Sequence, residues 1–351
     1  MMLDLVDATR NEPESPRSNS AAMPESVEVP SAAPRLRVAI AAPTVDRPDG
    51  LRRLMEGLAK LTFQRVPEPE ITVVIVDNAA APQAAPIVDG YRALLRWPVV
   101  YHHEPRRGLA HARNAQLAAA PATADWLAMI DDDEVPVPEW LDSLLAVALA
   151  HDADFVCGPV VPAFVEPPPA WAIPGRFFET GPFTDGQPIG HPYTGNVLVS
   201  LKAVRAAGWR FEMAFNHTGG EDEHFFARAL GTGLKAVAAA DATIFETIPP
   251  SRTTISWIAR RYFRMGTTVA AIDRLHDPSP ARLARRGLLG CGRLAVGVAS
   301  MASAPFKGRL ALVKGISDAA RGAGALAGLL GISFAEYGAR NRPNAAELPP
   351  K

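Results

Sequence analysis

An α/β domain built on a mostly parallel sheet is the fold class the sequence predicts, and three observations predict it. Short apolar runs rich in β-branched residues recur, such as "ITVVIVDN" at 71–78. A run of that kind, without polar alternation, suits a strand covered on both faces. Stretches with apolar residues at helical spacing separate these runs, and the regular alternation of the two is the pattern of βαβ units.

The elements follow in order. "RLRVAIAAPT", residues 35–44, reads as the first strand, with Val38 and Ile40 apolar and Pro43 closing it. Leu51, Leu54, Met55, Leu58 and Leu61 then recur at helical spacing. After the strand 71–78 comes a helix carrying Ile87, Tyr91, Leu94 and Leu95, then the strand "VVYHHE", the helix "GLAHARNAQLAAA" and the strand "DWLAMIDDDE". The prolines between Pro159 and Pro174 mark a long excursion from the sheet. "GNVLVSLKAVRAAG" reads as a strand entering a helix, "GGEDEHFFARALGTG" as a loop entering a helix, and "LKAVAAADATIFE" as one late strand.

Composition sets the outer bounds. The formal net charge of −1 over 351 residues gives no reason to expect nucleic acid. Cys157 and Cys291 make neither a disulfide framework nor a metal-ligand spacing, and fit a reducing compartment. Residues 1–35 lack a secretory signal pattern and are rich in Pro, Ser, Ala and Glu, a composition that predicts a disordered leader. The expected organisation is that leader, a catalytic domain over 36–250 and a helical region over 251–345.

The chemistry gathers at strand ends, where open α/β sheets bind ligands. Asp131, Asp132 and Asp133 follow an apolar run and are hard oxygen donors suited to Mg2+ or Mn2+. The alternative is a solvated acidic turn or a helix start. Asp77 and Asn78 end the second buried strand, where a carboxylate can accept a ring N–H of uracil and an amide can meet the ring carbonyls; Asp-Asn is also a common turn. Arg113 either contacts a nucleotide or braces Asp131. Glu221 and Asp222 lie where a helix begins, serving as a general base or as a helix cap.

In this order the motifs resemble the family 2 glycosyltransferases. The first strand ends in "APTVDR", with Pro43 and Thr44; "VDN" holds Asp77 and Asn78; Gly108, Ala112, Arg113 and Asn114 match a G-x-x-x-A-R-N element; Asp131–Asp133 match a DxD-type motif; Gly195-Asn196 and Glu221-Asp222 complete the series. The segments "DDDEVPVPEWL" and "FETIPPSR" look most like bacterial exopolysaccharide enzymes of the succinoglycan type. The resemblance, over roughly residues 36–265, implies the GT-A fold and an inverting, metal-dependent transfer from a UDP-sugar to a saccharide acceptor on a lipid carrier. It implies Asp133 as metal ligand with Mn2+ or Mg2+, and Asp222 as catalytic base. It gives Pro43, Thr44, Asp77, Asn78, Arg113, Asp131 and Asp132 to the donor, and Gly195, Asn196 and Glu221 to the acceptor.

The sequence also departs from the family pattern. Where many relatives carry a metal-binding histidine, this chain has "IFETIPPSR", with Glu246 as a substitute ligand or a structural residue. Arg252, and with it Arg260 and Arg261, can clamp a diphosphate. A nucleotidyltransferase would want a Gly-rich basic loop after the first strand, which "APTVDRPDG" does not provide; a docked scaffold with a degenerate transferase domain is the non-enzymatic alternative. From 282 to 321 eight Lys and Arg residues are opposed by Asp318 alone, among apolar runs too short or too broken to span a bilayer. Basic residues among apolar stripes predict helices lying at an anionic leaflet, on the cytoplasmic face of the inner membrane.

Overall fold

The structure, a computed structural model, describes residues 35–333. The expected leader and the end of the helical region lie outside them. The first half runs β1 (Arg37–Thr44), α1 (Pro48–Leu58), β2 (Glu70–Asp77), α2 (Ala85–Tyr91), β3 (Val99–His103), α3 (Leu109–Ala119), β4 (Trp126–Ile130), β5 (Glu134–Pro136), α4 (Trp140–His151) and β6 (Phe155–Cys157). It continues with β7 (Val160–Phe164), α5 (Ala172–Gly175), β8 (Asn196–Ser200), α6 (Leu201–Ala207), α7 (Glu221–Gly231), β9 (Ala236–Ala238) and β10 (Ile244–Ile248). Three long helices follow: α8 (Ile255–His276), α9 (Pro280–Ala302) and α10 (Ala304–Leu329).

The main sheet has the order β3-β2-β1-β4-β8-β6-β9. Pairing is parallel from β3 through β4 and antiparallel at both edges of β8. Side chains alternate across it. Val38, Ile40 and Ala42 face one core with Leu54 of α1 and Trp140 and Leu144 of α4. Ala39 and Ala41 face the other with Ala110 of α3 and Phe225 and Phe226 of α7. Burial on both faces is why these strands read as continuous apolar runs. Strand order reverses at β1, where β2 lies on one side and β4 on the other, opening a crevice beyond their carboxyl ends.

Three expectations need correction. "DWLAMIDDDE" is not one strand: β4 stops at Ile130, and Glu134 opens β5 in a second sheet ordered β5-β10-β7. "LKAVAAADATIFE" is two strands, one in each sheet, separated around Asp241. The proline-rich excursion contains β7, which tolerates Pro162 because it is an edge strand. The small sheet is tied to the acidic loop by Thr247 N–H, which donates to Asp133 O at 2.8 Å.

α10 packs against both α8 and α9. Glycine makes this approach possible: a Cβ at Gly324 would lie 2.1 Å from Phe263 O of α8. Ile258 of α8 and Val313 of α10 share a third core with Trp171, Phe178 and Ile248. Among the described residues no helix is long and apolar enough to cross a membrane.

Candidate active site

The ends of β1, β2 and β4 bring their polar residues together because the register aligns them: Thr44 of β1 sits opposite Asp77 of β2, and β4 runs alongside β1 up to Met129. Beyond Ile130 the chain turns, and each aspartate of the triplet meets a different partner. Asp131 Oδ1 accepts from Arg113 Nη2 at 2.7 Å. Asp132 is buried and accepts from Thr44 Oγ1 at 2.8 Å and Arg47 Nη1 at 2.9 Å. Asp133 Oδ2 lies 2.9 Å from Arg47 Nη1 and 3.2 Å from Arg252 Nη2, and Arg252 Nη1 also donates to Glu246 Oε1 at 2.8 Å.

Asp132, expected among the donor residues, thus straps β1 to the acidic loop. Burial is the main force raising its carboxyl to about 6, with Arg47 opposing and Asp133 reinforcing. Burial also works against the charge of Arg47, but Asp133 and Asp132 outweigh it and hold the guanidinium above its usual range. Arg47 was not singled out in the sequence, since its pairing with the triplet spans 85 residues. The one local signal was a basic residue three positions beyond Thr44 at a strand end.

Glu134 closes the acidic run, and the sequence by itself gives it no separate role. Its buried Oε2 accepts from Asp131 N–H at 2.7 Å. Burial, and then the charges of Asp131, Asp133 and Glu246, push it well above the ordinary carboxylate range. Gly195 makes room for it, since a Cβ there would lie 2.6 Å from Glu134 Oε1. Gly195 thus shapes the acidic loop. Asn196, expected on the acceptor side, is 0% exposed and fully engaged within the protein. It donates to Pro159 O and Ala242 O and accepts from Trp140 Nε1, which makes it a packing node between the two sheets.

The β2 end is similarly engaged. Asp77 Oδ2 accepts from the N–H groups of Gln83 and Ala84 and from Tyr101 Oη, while Oδ1 accepts from Ala79 N–H alone. Burial would raise this carboxyl, but the four donors outweigh it and hold it below its usual value. Oδ1 is the oxygen with accepting capacity left. Asn78 donates to Glu104 O and Arg106 O and accepts from Gly108 N–H, fixing the entry to α3. Pro43 pairs with Val76 in the ladder and is half-buried.

α7 begins at the other wall of the crevice. Gly220 occupies the cap position, so neither Glu221 nor Asp222 is the cap; both lie in the first turn. Glu221 is buried, and its Oε2 has no hydrogen-bond partner. Burial first and Asp222 second push Glu221 up to about 8, with Arg113 opposing. Asp222 is half-buried, and its Oδ1 accepts from Glu223 N–H at 2.7 Å. Arg113 links the two walls: it is ion-paired to Asp131, and its charge is stabilised against burial by Asp131, Glu221 and Asp222. Of the two roles open for it, bracing Asp131 is what the structure displays.

Among the described residues no three His, Cys, Asp or Glu side chains are grouped as metal ligands. The donor set nevertheless fits a hard divalent cation. Asp131, Asp133 and Glu246 offer only oxygen, and their mutual repulsion, felt by buried Glu134, is what a cation would relieve.

The family model for glycosyl transferase family 2 matches residues 39–208. The succinoglycan biosynthesis protein ExoM of Rhizobium meliloti (strain 1021) is 33% identical over 310 residues, covering 87% of this chain and 97% of that protein. The chain is a family 2 glycosyltransferase. The nucleotidyltransferase reading falls with that membership. The pre-mycofactocin glycosyltransferase of Mycobacterium tuberculosis is 32% identical to the transferase over 136 residues, 39% of this chain and 25% of that protein. In fold, the mannosyltransferase PcManGT from Pyrobaculum calidifontis, solved with GDP-Man and Mn2+, superposes with a TM-score of 0.53 at 19% identity. The match covers 84% of this chain and 87% of that one, and the fold is GT-A-like.

Proposed function

We propose that the transferase moves a sugar from a UDP-sugar to a lipid-linked saccharide in exopolysaccharide biosynthesis, inverting the anomeric centre. The observation that supports this reading is that Arg113 bonds Asp131 while the charges of Glu221 and Asp222 also act on it, so the two acidic stretches lie near one guanidinium. The printed name of ExoM supports the pathway class.

On the donor wall, Asp77 Oδ1 receives the uracil N–H, while Asn78, Pro43 and Thr44 shape the ends of β1 and β2. Asp133, with Asp131 beside it, would hold Mn2+ or Mg2+. A bound cation there would offset negative charge on the departing diphosphate. Arg252 and Arg47, released from Asp133, turn to the same oxygens, because guanidinium groups match phosphate geometry.

On the other wall Asp222 takes the proton of the acceptor hydroxyl. The hydroxyl oxygen forms its bond to the anomeric carbon as the bond to the diphosphate oxygen breaks, and that electron pair leaves with UDP. A single displacement of an α-linked donor gives a β-glycoside. Glu221, buried and with its carboxyl raised to about 8, is largely protonated at neutral pH and is the poorer base of the pair; it lines the acceptor side behind Asp222.

The transferase docks on the cytoplasmic face of the inner membrane. Leu288, Leu289 and Val296 on α9 and Phe306 at the start of α10 are exposed. No acidic residue lies between Asp277 and Asp318, while Arg285, Lys307 and Arg309 do. An apolar face with a basic rim fits an anionic leaflet.

A donor panel tests the reading. Purified protein with Mn2+ should slowly hydrolyse a UDP-sugar in preference to GDP- and dTDP-sugars. Equal or exclusive turnover of another nucleotide sugar would overturn the UDP assignment.

A further inference from the structure

Away from the crevice, α8, α9 and α10 enclose a cavity of about 110 Å3 whose lining includes Arg286, Arg293 and Arg321 with Val269, Leu289 and Ala325. Three guanidinium groups around so small a space is an unusual concentration of like charge, and their carboxylate partners do not balance it. Arg286 is held by Asp273, but that carboxylate also accepts from Arg282 at 2.8 Å. Arg293 reaches Asp318 only at 3.8 Å. Arg321 has no hydrogen bond or ion pair among the described residues; burial, then the charge of Arg293, push it below the usual arginine value, with Glu223 the opposing charge.

Two further features say what kind of anion fits. Leu289 both lines the cavity and is 47% exposed, next to exposed Leu288, so the cavity borders the apolar face of α9. Glu223 is the residue after Asp222, and its carboxyl is raised to about 7, mainly by burial and by Asp222, while Arg321 and Arg286 oppose the rise. The arginine cavity is thus electrostatically coupled to the first turn of α7, where the proposed base lies.

We infer that the Arg286–Arg293–Arg321 cavity is an anion site for the phosphate or diphosphate of the lipid carrier. The guanidinium groups take the phosphoryl oxygens, the hydrocarbon runs along Leu289 and Leu288, and the acceptor sugar reaches toward Asp222. The carrier's identity rests on the proposed function; the affinity for phosphoryl oxygens does not.

The test is a titration of the full chain with two probes, inorganic pyrophosphate and phosphatidylcholine vesicles doped with a prenyl diphosphate. UDP is kept saturating and divalent cations absent, so that the donor crevice is occupied. The expected result is tighter binding of the vesicles than of pyrophosphate, with both weakened about tenfold or more in Arg321→Gln. UDP affinity, measured separately, should be unchanged. Arg293→Gln, at the more exposed rim, should show the same loss and carries the test if Arg321→Gln lowers the melting temperature. Equal affinity for free pyrophosphate would keep the anion site and overturn the lipid as its source. Binding of neither probe by the parent, or undiminished binding by both variants, would overturn the site. A failed donor panel with Arg321-dependent pyrophosphate binding would separate this inference from the transferase reading.

Discussion

At the end of β4 each aspartate has a cation against it: Arg113 for Asp131, Arg47 for Asp132, and Arg47 with Arg252 for Asp133. At the start of α7 the hydrogen bonding is of another kind. Glu221 leaves Oε2 unpartnered, and Asp222 accepts from a backbone amide of its own helix. In the first cluster each carboxylate already faces a guanidinium group, so one cation can be exchanged for another. The second sets three carboxylates in one helical turn, where burial and the charge of Asp222 raise Glu221 and Glu223 against the opposing guanidinium charges of Arg113, Arg264, Arg286 and Arg321. The two acidic stretches look alike in sequence, and only their partners give them different chemistry.

Arg113 is the residue that makes the comparison possible, and its loss should have the largest effect. Arg113→Met removes the charge shared by Asp131, Glu221 and Asp222. Breaking such a pair costs about 3 kcal/mol, the lower end of the range because Asp131 is 32% exposed. Urea denaturation should register this together with a loss of turnover. A variant as stable as its parent would mean that the two walls are not coupled through Arg113.

The β4 cluster can be probed alone with Asp133→Ala. Its carboxylate is the one shared by two half-exposed or partly exposed arginines, so the fold should hold. The expected outcome is that Mn2+ no longer strengthens UDP binding in calorimetric titration. An unchanged Mn2+-dependent gain would remove Asp133 from the cation site.

The effect expected of Glu221→Gln is one of pH. The carboxyl is raised from 4.5 to about 8 in the folded chain, so the folded state holds the extra proton between those values. Its contribution to stability is present below pH 4.5 and is lost as pH rises through 8. The Gln variant should therefore gain melting temperature over the parent above pH 8 and show little difference below pH 4.5. A difference independent of pH would say that Glu221 is not held protonated.

Much of this was legible in the sequence where the signal is local. The runs at 37–44 and 70–77 announce β1 and β2 because both faces are covered, and the carboxylates stand in readable order at strand and helix ends. What was not legible depends on partners far along the chain. The break at Ile130 is set by pairing of Glu134 and Val135 with β10, more than a hundred residues away. Asn196 looks like an acceptor contact until Trp140, Pro159 and Ala242 are seen around it. Arg47 has no sign of its partners nearby in the sequence, and only the fold carries it to Asp132 and Asp133. Arg286 and Arg293 stand two helical turns apart on α9, but Arg321 comes from α10, and only the fold brings it beside them.

The central claim is that the α7 cluster does the proton transfer, and Asp222→Asn tests it most directly. Turnover with a saccharide acceptor, UDP affinity and melting temperature should be measured on the same preparation. The amide keeps the size of the carboxylate but cannot take up a proton at neutral pH. Turnover should fall about 10²–10⁴-fold, with UDP affinity and melting temperature unchanged. Turnover within a few-fold of the parent would contradict the account and pass the role of base to another group, Glu221 being the nearest.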